Sequence, residues 1–279
     1  MRFPFRLGLA GTAAIASAAI APVAATASTV PTPSHVVVVM EENHSYSDII
    51  GSSQAPYLNQ LAGQGASMTS SYAVTHPSEP NYMALFAGST FGLSADTCPV
   101  NEGNTPNLGS ELLAAGQTFK GYSEGLPATG STTCTSGRYA RKHVPWANFS
   151  NVPGSDSLPF SSFPSDYSSL PTVSFVIPNL DDDMHDGTVS AGDTWLKNNL
   201  SSYVSWAKSH NSLLIVTWDE DDNSANNQIP TIIAGAGVKA GKYSEKINHY
   251  NVLSTLESMY GLSKVGSSSS ANPITDTWG

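Results

Sequence analysis

The sequence predicts an α/β fold, a mostly parallel central sheet between helices in a single domain. Three observations carry that expectation. Short β-branched apolar runs recur along the chain, segments of helical period fall between them, and three of the runs end in clusters of acidic residues. With 279 residues, 40% of them hydrophobic, the chain can build one sizeable core, and its composition excludes a disordered or collagen-like protein.

From the start of the chain, Arg2 and Arg6 precede an Ala-rich apolar run from Leu7 to about Ala21, followed by Ala25-Thr26-Ala27. This reads as a secretory signal peptide over residues 1–27, cut after Ala27. The run is broken by Gly11, Thr12 and Pro22 and is shorter than the roughly 20 residues that a membrane span needs, so no transmembrane anchor is expected. Residues 28–279 are the expected secreted domain. Loss of the two arginines leaves 10 basic against 22 acidic side chains, a formal charge of −12, which repels nucleic acid. Export also makes Cys98 and Cys134, the two cysteines of the chain, an expected disulfide, with a catalytic thiol as the rival reading.

Val36–Met40, Val173–Ile177, Leu213–Trp218 and Thr231–Ala234 have the length and β-branched content of strands buried on both faces, and Met68–Val74 is strand-like. Asp193–His210 carries Trp195, Leu196, Leu200, Tyr203, Val204 and Ala207 at helical spacing. Tyr250, Leu253, Leu256 and Met259 repeat the pattern. From Thr129 to about Leu170, Ser, Pro, Gly and aromatic residues without a sustained period predict long ordered loops. Gly266–Ala271 reads as a flexible connection to a short terminal segment.

Ligands of open α/β sheets bind beyond the carboxyl ends of the strands. Here those ends carry Glu41-Glu42-Asn43-His44, then Asn179 followed by Asp181-Asp182-Asp183-Met184-His185-Asp186, and Asp219-Glu220-Asp221-Asp222. Singly, each cluster reads as a solvated turn or a helix cap. Together they would repel one another unless a cation compensates, and such oxygen ligands suit one hard divalent metal ion. Thr75-His76-Pro77-Ser78-Glu79-Pro80-Asn81-Tyr82 lies between a strand-like run and an apolar helix, with Pro80 suited to the first turn. Ser78 thus falls at a helix start, where unpaired N–H groups favour phosphate, although an ordinary N-cap fits as well.

These motifs, with Tyr139-Ala-Arg-Lys-His-Val-Pro-Trp146 and His249-Tyr-Asn-Val-Leu-Ser-Thr-Leu256, resemble the phosphoesterase family that joins bacterial acid phosphatases and phospholipases C within the alkaline-phosphatase superfamily. The resemblance spans essentially the whole of residues 28–279 and implies an alkaline-phosphatase-like fold. It implies Ser78 as nucleophile, Asn81 as a donor to the phosphate, and Glu42, Asn43, Asp219 and Glu220 as metal ligands. His143 and His185 would contact phosphate, Arg141 and Lys142 would dock an anionic headgroup, and His249 would be either a site residue or a helix cap. Two departures stand out: Asn223 occupies a position that is often Gly, and the full ligand set of two-metal relatives is missing, which argues for a single metal.

The function expected from the resemblance is a secreted acid phosphatase acting on phosphorylated small molecules or a phosphoinositide such as phosphatidylinositol 3-phosphate, through a metal-activated serine and a phosphoserine. A phospholipase C-like phosphodiesterase and a secreted metal-containing binding protein are the alternatives. Protonated His143 and His185, favoured by the nearby acids, would give the activity an acidic optimum.

Overall fold

The computed structural model describes residues 30–279 together with Met1 and Pro4, so the expected signal peptide lies outside the described residues. The strands are β1 (His35–Glu41), β2 (Ala66–Tyr72), β3 (Phe119–Ser123), β4 (Thr135–Ser136), β5 (Tyr139–Ala140), β6 (Ser157–Pro159), β7 (Val173–Ile177), β8 (Ser212–Trp218), β9 (Thr231–Gly235) and β10 (Gly241–Asn248). Eight of them form one sheet in the order β10-β2-β9-β8-β1-β7-β3-β6, while β4 and β5 make a separate two-stranded ribbon. In the large sheet β9 alone runs antiparallel to its neighbours, β2 and β8. The four strands anticipated as buried on both faces thus occupy four adjacent central positions.

Side chains of β1 alternate between two cores, as strand geometry requires. Val36, Val38 and Met40 face a core shared with α3 (Ser78–Ala87), α4 (Leu108–Ala114) and α6 (His249–Met259). Val37 and Val39 face one shared with α2 (Pro56–Gln64) and α5 (Val189–Ala207), beside the single-turn α1 (Tyr46–Ile49). Burying a valine in such a core contributes about 1.5–3 kcal/mol, so this strand resists displacement by its own composition. In α5 the predicted apolar stripe is the buried one, and the helix starts earlier than expected, at Val189, capped by Thr188, whose side chain accepts from the Ala191 N–H.

Strand β3 shows no sequence signature because Gly121 interrupts it, yet that glycine is required. A Cβ there would lie 2.1 Å from Trp146, whose ring packs over the strand. The Thr129–Leu170 region is indeed mostly loops and single turns, pinned to the body by a Cys98–Cys134 disulfide with a Cα–Cα distance of 5.8 Å. Closing a loop of 36 residues contributes roughly 3–4 kcal/mol in chain-entropy terms.

The expected flexible connection at Gly266–Ala271 is corrected. Gly266–Ser270 forms a 3-10 turn with Ser268 fully buried, seated on the left-handed Gly88 that ends α3. The Ser267 N–H donates to the Gly88 carbonyl at 2.7 Å, and no side chain at position 88 could fit beneath Val265, whose carbonyl would lie 2.1 Å from a Cβ. Of the four serines Ser268 is the buried one, its hydroxyl donating to the Val265 carbonyl at 2.7 Å, while Ser267, Ser269 and Ser270 are exposed.

Candidate active site

Three elements deliver the centre of the site. The parallel register between β1 and β8 sets Glu41 beside Trp218, so the next residues, Glu42 and Asp219, leave the sheet side by side. Ser78 is the first residue of α3, with Pro77 as its cap after a cis His76–Pro77 bond. The Ser78 hydroxyl lies 2.9 Å from Glu42 Oε2 and 3.2 Å from Glu220 Oε1. It has one proton and two carboxylates able to take it. The Asn43 N–H donates to Asp219 Oδ1 at 3.0 Å, which leaves Asp219 Oδ2 and Asn43 Oδ1 buried with no hydrogen-bond partner.

Those two bare oxygens, near enough to the Glu42 carboxyl for Asp219 to repel it, are the kind of ligand a hard cation takes. Burial holds the Glu42 carboxyl well above the usual carboxylate range, with Asp219 and Asp183 adding repulsion, and pushes Asp219 up to about 8, with Glu220 adding to it. A divalent ion would reverse both shifts. A second arrangement shares Glu42: its ligand atoms and those of His143 and His185 all lie within 4.8 Å of one another, a group that could hold a metal ion.

His143 is buried in a 3-10 turn, Arg141–His143, and stacks on Tyr82 with ring centroids 4.9 Å apart. Its Nε2 is 3.2 Å from Glu42 Oε1 and its Nδ1 3.2 Å from Asp183 Oδ2. Burial, then the charges of Lys142 and His185, holds its imidazole well below the ordinary histidine range. The expectation that neighbouring acids keep it charged is therefore corrected: the acids that touch it are themselves pushed toward their neutral forms, Asp183 to about 7 by burial. His185 is partly exposed, 2.8 Å from Asp186, with Lys142 Nζ 3.3 Å from its Nε2. Lys142 is anchored by Asp96 at 2.7 Å.

Residues 52–263 match the sequence profile of the Phosphoesterase family. The chain belongs to that family. It is 63% identical over 255 residues to the phosphatidylinositol-3-phosphatase of Mycobacterium tuberculosis, covering 91% of this chain and 85% of that one. An acid phosphatase of Aspergillus fumigatus is 29% identical over 245 residues, covering 81% of this chain but 54% of its own length. These matches make the phosphoesterase a phosphoric monoester hydrolase. Among solved structures, an alkaline phosphatase superfamily protein of Vibrio parahaemolyticus superposes with a TM-score of 0.61 at 13% identity, covering 88% of this chain and 72% of that one. The lipoteichoic acid synthase of Listeria monocytogenes gives 0.63 at 10% identity, covering 90% and 77%. Both likenesses show the fold, which is alkaline-phosphatase-like.

Within this phosphoesterase Ser78, Glu42, Asn43, Asp219, Glu220, Lys142, His143 and His185 gather at one sheet edge, whereas three residues expected beside them do other work. Asn81 accepts from the N–H groups of Val74 and Thr75 and donates to the carbonyls of Thr75 and Pro77, so it shapes the loop before Ser78 with no donor left for phosphate. Arg141 turns away from the site, donating to the carbonyls of Thr132, Val100 and Ala147 and to Asn148 Oδ1. His249 is buried behind β8 and is neither a site group nor a cap: its Nε2 hydrogen-bonds the Trp218 carbonyl at 2.9 Å, Asn248 caps α6, and burial lowers the ring to about 4.

Three further residues, Tyr82, Asp183 and His76, join the site without having been expected there. Tyr82 donates to Glu42 Oε1 at 2.5 Å; standing four residues after Ser78 on one helix, it is within reach of the i,i+4 rule. His76 hydrogen-bonds Glu220 and lies 3.4 Å from Asp221 Oδ1. The acidic run divides its labour, since Asp221 accepts from the N–H groups of Asn223, Ala225 and Asn227 to close the following loop. Asn223 has φ +67, the left-handed region where glycine is the common choice and asparagine the next.

Proposed function

We propose that this phosphoesterase is exported after cleavage at Ala27 and hydrolyses phosphate monoesters, phosphatidylinositol 3-phosphate among them, with Ser78 as nucleophile. The observation that carries the reading is the Ser78 hydroxyl at the start of a ten-residue helix, within 2.9 Å of Glu42 and 3.2 Å of Glu220. The lipid substrate is supported by the 63% identical Mycobacterium tuberculosis relative.

In the proposed reaction Ser78 Oγ gives its proton to Glu220 or Glu42 and attacks phosphorus, so that a P–Oγ bond forms as the P–O bond of the ester breaks. At the start of α3 the Glu79 N–H is taken by Asp96 Oδ1 and Pro80 has none, so the positive charge beside the equatorial oxygens comes from Lys142, held by Asp96. The departing alkoxide takes a proton from the Lys142–His185 pair. Water then attacks the phosphoserine, giving its proton to the Lys142–His185 pair that protonated the leaving group, while the carboxylic acid returns its proton to Ser78 Oγ as the P–Oγ bond breaks and phosphate leaves. A divalent ion held by Glu42, Asn43 and Asp219 would, when bound, lower the pKa of the serine hydroxyl and neutralise phosphoryl charge. Glu220, shared between His76 and Ser78, is better placed as the proton acceptor than as a ligand.

The test is phosphate release from vesicles containing phosphatidylinositol 3-phosphate, with product analysis and an acid-quenched intact mass. Wild-type protein should release inorganic phosphate and show a phosphoserine mass. Ser78→Ala should lose at least about a thousandfold in turnover, the scale seen when a nucleophile is removed. Release of phosphorylated inositol in place of phosphate would establish a phosphodiesterase, and undiminished turnover in the variant would remove Ser78 from the mechanism.

A further inference from the structure

The face of the catalytic turn opposite the active site carries a feature that the phosphatase reaction does not use. Arg141 lines a cavity of about 390 Å³ whose walls include Trp146, Phe149 and Val152 on the apolar side and Ser131 and Ser150 on the polar side. None of Ser78, Glu42, Asp219 or His185 borders it. Arg141 is 7% exposed, and no carboxylate pairs with it among the described residues, in contrast to the exposed Arg138, which binds both Asp181 and Asp186. Its four hydrogen bonds go to neutral oxygens, and its Nε–H is buried with no partner. No acidic side chain lines the cavity.

A buried guanidinium without a counter-ion keeps most of its desolvation cost, and an anion placed beside it would recover much of that cost. Since no acidic side chain of the cavity wall meets this charge, the counter-ion it lacks has to arrive from outside. The cavity's volume lies in the range of small-molecule sites, and its aromatic wall excludes a purely inorganic ion as the best fit. We propose that this cavity binds a small organic anion, a carboxylate, sulfonate or phosphate on an apolar body, with its charge on Arg141 and its apolar part against Trp146 and Phe149.

The site would be felt by catalysis through covalent adjacency. Arg141, Lys142 and His143 are consecutive in one 3-10 turn, which is tied to the disulfide by the Arg141 N–H donating to the Cys134 carbonyl at 2.9 Å. An occupant that draws on Arg141 shifts the turn that presents Lys142 and His143 to the phosphate, so it acts on turnover without competing with substrate.

The probe is 8-anilinonaphthalene-1-sulfonate, whose emission brightens and shifts to the blue in an apolar cavity. Folded protein should bind one equivalent, inorganic phosphate at concentrations that inhibit turnover should not displace it, and inhibition of aryl phosphate hydrolysis should be noncompetitive. Gly154→Leu places a side chain at the cavity wall where a Cβ meets only ordinary contacts, 3.5 Å from Gly130. It should weaken the probe by at least about tenfold and leave turnover unchanged. Arg141→Met, checked for native circular dichroism, should weaken it at least as much, since a charge-assisted contact is lost. Displacement by phosphate, competitive inhibition, or unchanged affinity in Gly154→Leu would each overturn the assignment. Should Arg141→Met not fold, Gly154→Leu decides alone.

Discussion

The acids and the bases of the candidate active site reach it by different routes. Glu42 and Asp219 follow the ends of two paired central strands, where register and the two-residue side-chain period fix their position. Lys142, His143 and His185 stand on turns whose course is set by contacts between groups far apart along the chain, such as the Arg138 guanidinium with Asp181 and Asp186 or the Leu180 N–H with the Arg138 carbonyl. Strand ends place chemistry by arithmetic that a sequence displays, whereas loops place it by contacts that a sequence hides. Neighbours Arg141 and His143 make the point: two positions apart in one turn, one enters the site and the other faces a separate cavity.

The sharpest way to break this comparison is at the strand ends. Glu42→Ala and Asp219→Ala should each lower turnover on an aryl phosphate by at least about a hundredfold, as when preorganised charge stabilisation is removed. The fold should survive, because β1 and β8 are held by their valines, leucines and isoleucines rather than by these carboxylates. Near-normal turnover in either variant, with an unchanged melting temperature, would show that the strand-end acids are not where the chemistry happens.

A smaller effect is expected on the loop side, and it should be unequal. His185→Asn, on the partly exposed imidazole between Lys142 and Asp186, should lower turnover about tenfold to a hundredfold if this pair protonates the leaving group. Arg141→Met should leave the KM for phosphate monoesters near its wild-type value but destabilise the loop region by about 1–3 kcal/mol, because the Val100 carbonyl and Asn148 Oδ1, both in buried hydrogen bonds, and two part-buried carbonyls lose their donor. A large rise in KM with stability intact would return Arg141 to the headgroup-docking role that its place in a basic cluster suggests.

The same division explains which parts of the molecule are legible in its sequence. Four central strands, two long helices, the helix-start serine and the strand-end acids can be read from β-branched runs, a 3.6-residue period and the polar residues at the carboxyl end of each run. Strand β3 is hidden by the glycine that makes room for Trp146, and edge strand β10 by its alternating exposure, GKYSEKIN offering little apolar signal. Asn81 reads as a phosphate donor through its nearness to Ser78, but a buried amide in the first turns of a helix commonly serves the preceding loop, and nothing in the residue types separates the two uses. The terminal serines resemble a linker because composition does not report the Gly88 platform on which they sit.

The smallest expected effect separates acids and bases by pH. Stripped of divalent ions, the folded protein holds Asp219 up to about 8 and Asp183 up to about 7 through burial, against roughly 4 for an aspartate in an unfolded chain. Between about pH 4 and 8 these two carboxyls therefore bind more protons in the folded state than in the unfolded one and their contribution to stability falls as pH rises, while His143 and His249, lowered by burial, act in the opposite sense below about pH 6.5, so the decline is read above that point. A hard cation bound there would take the place of those protons and release them. Melting temperature measured from about pH 6.5 to 8 in a chelator should decline, and millimolar Mg²⁺ or Ca²⁺ should flatten the decline while unbuffered protein gives up protons on titration with the ion. The cavity at Arg141 is lined by none of these carboxyls, so affinity for the sulfonate probe should hold steady across this range. Parallel melting curves with and without the cation would mean that the buried carboxylates are satisfied in some other way, and the contrast between a strand-end cation site and a loop-built anion cavity would lose its first half.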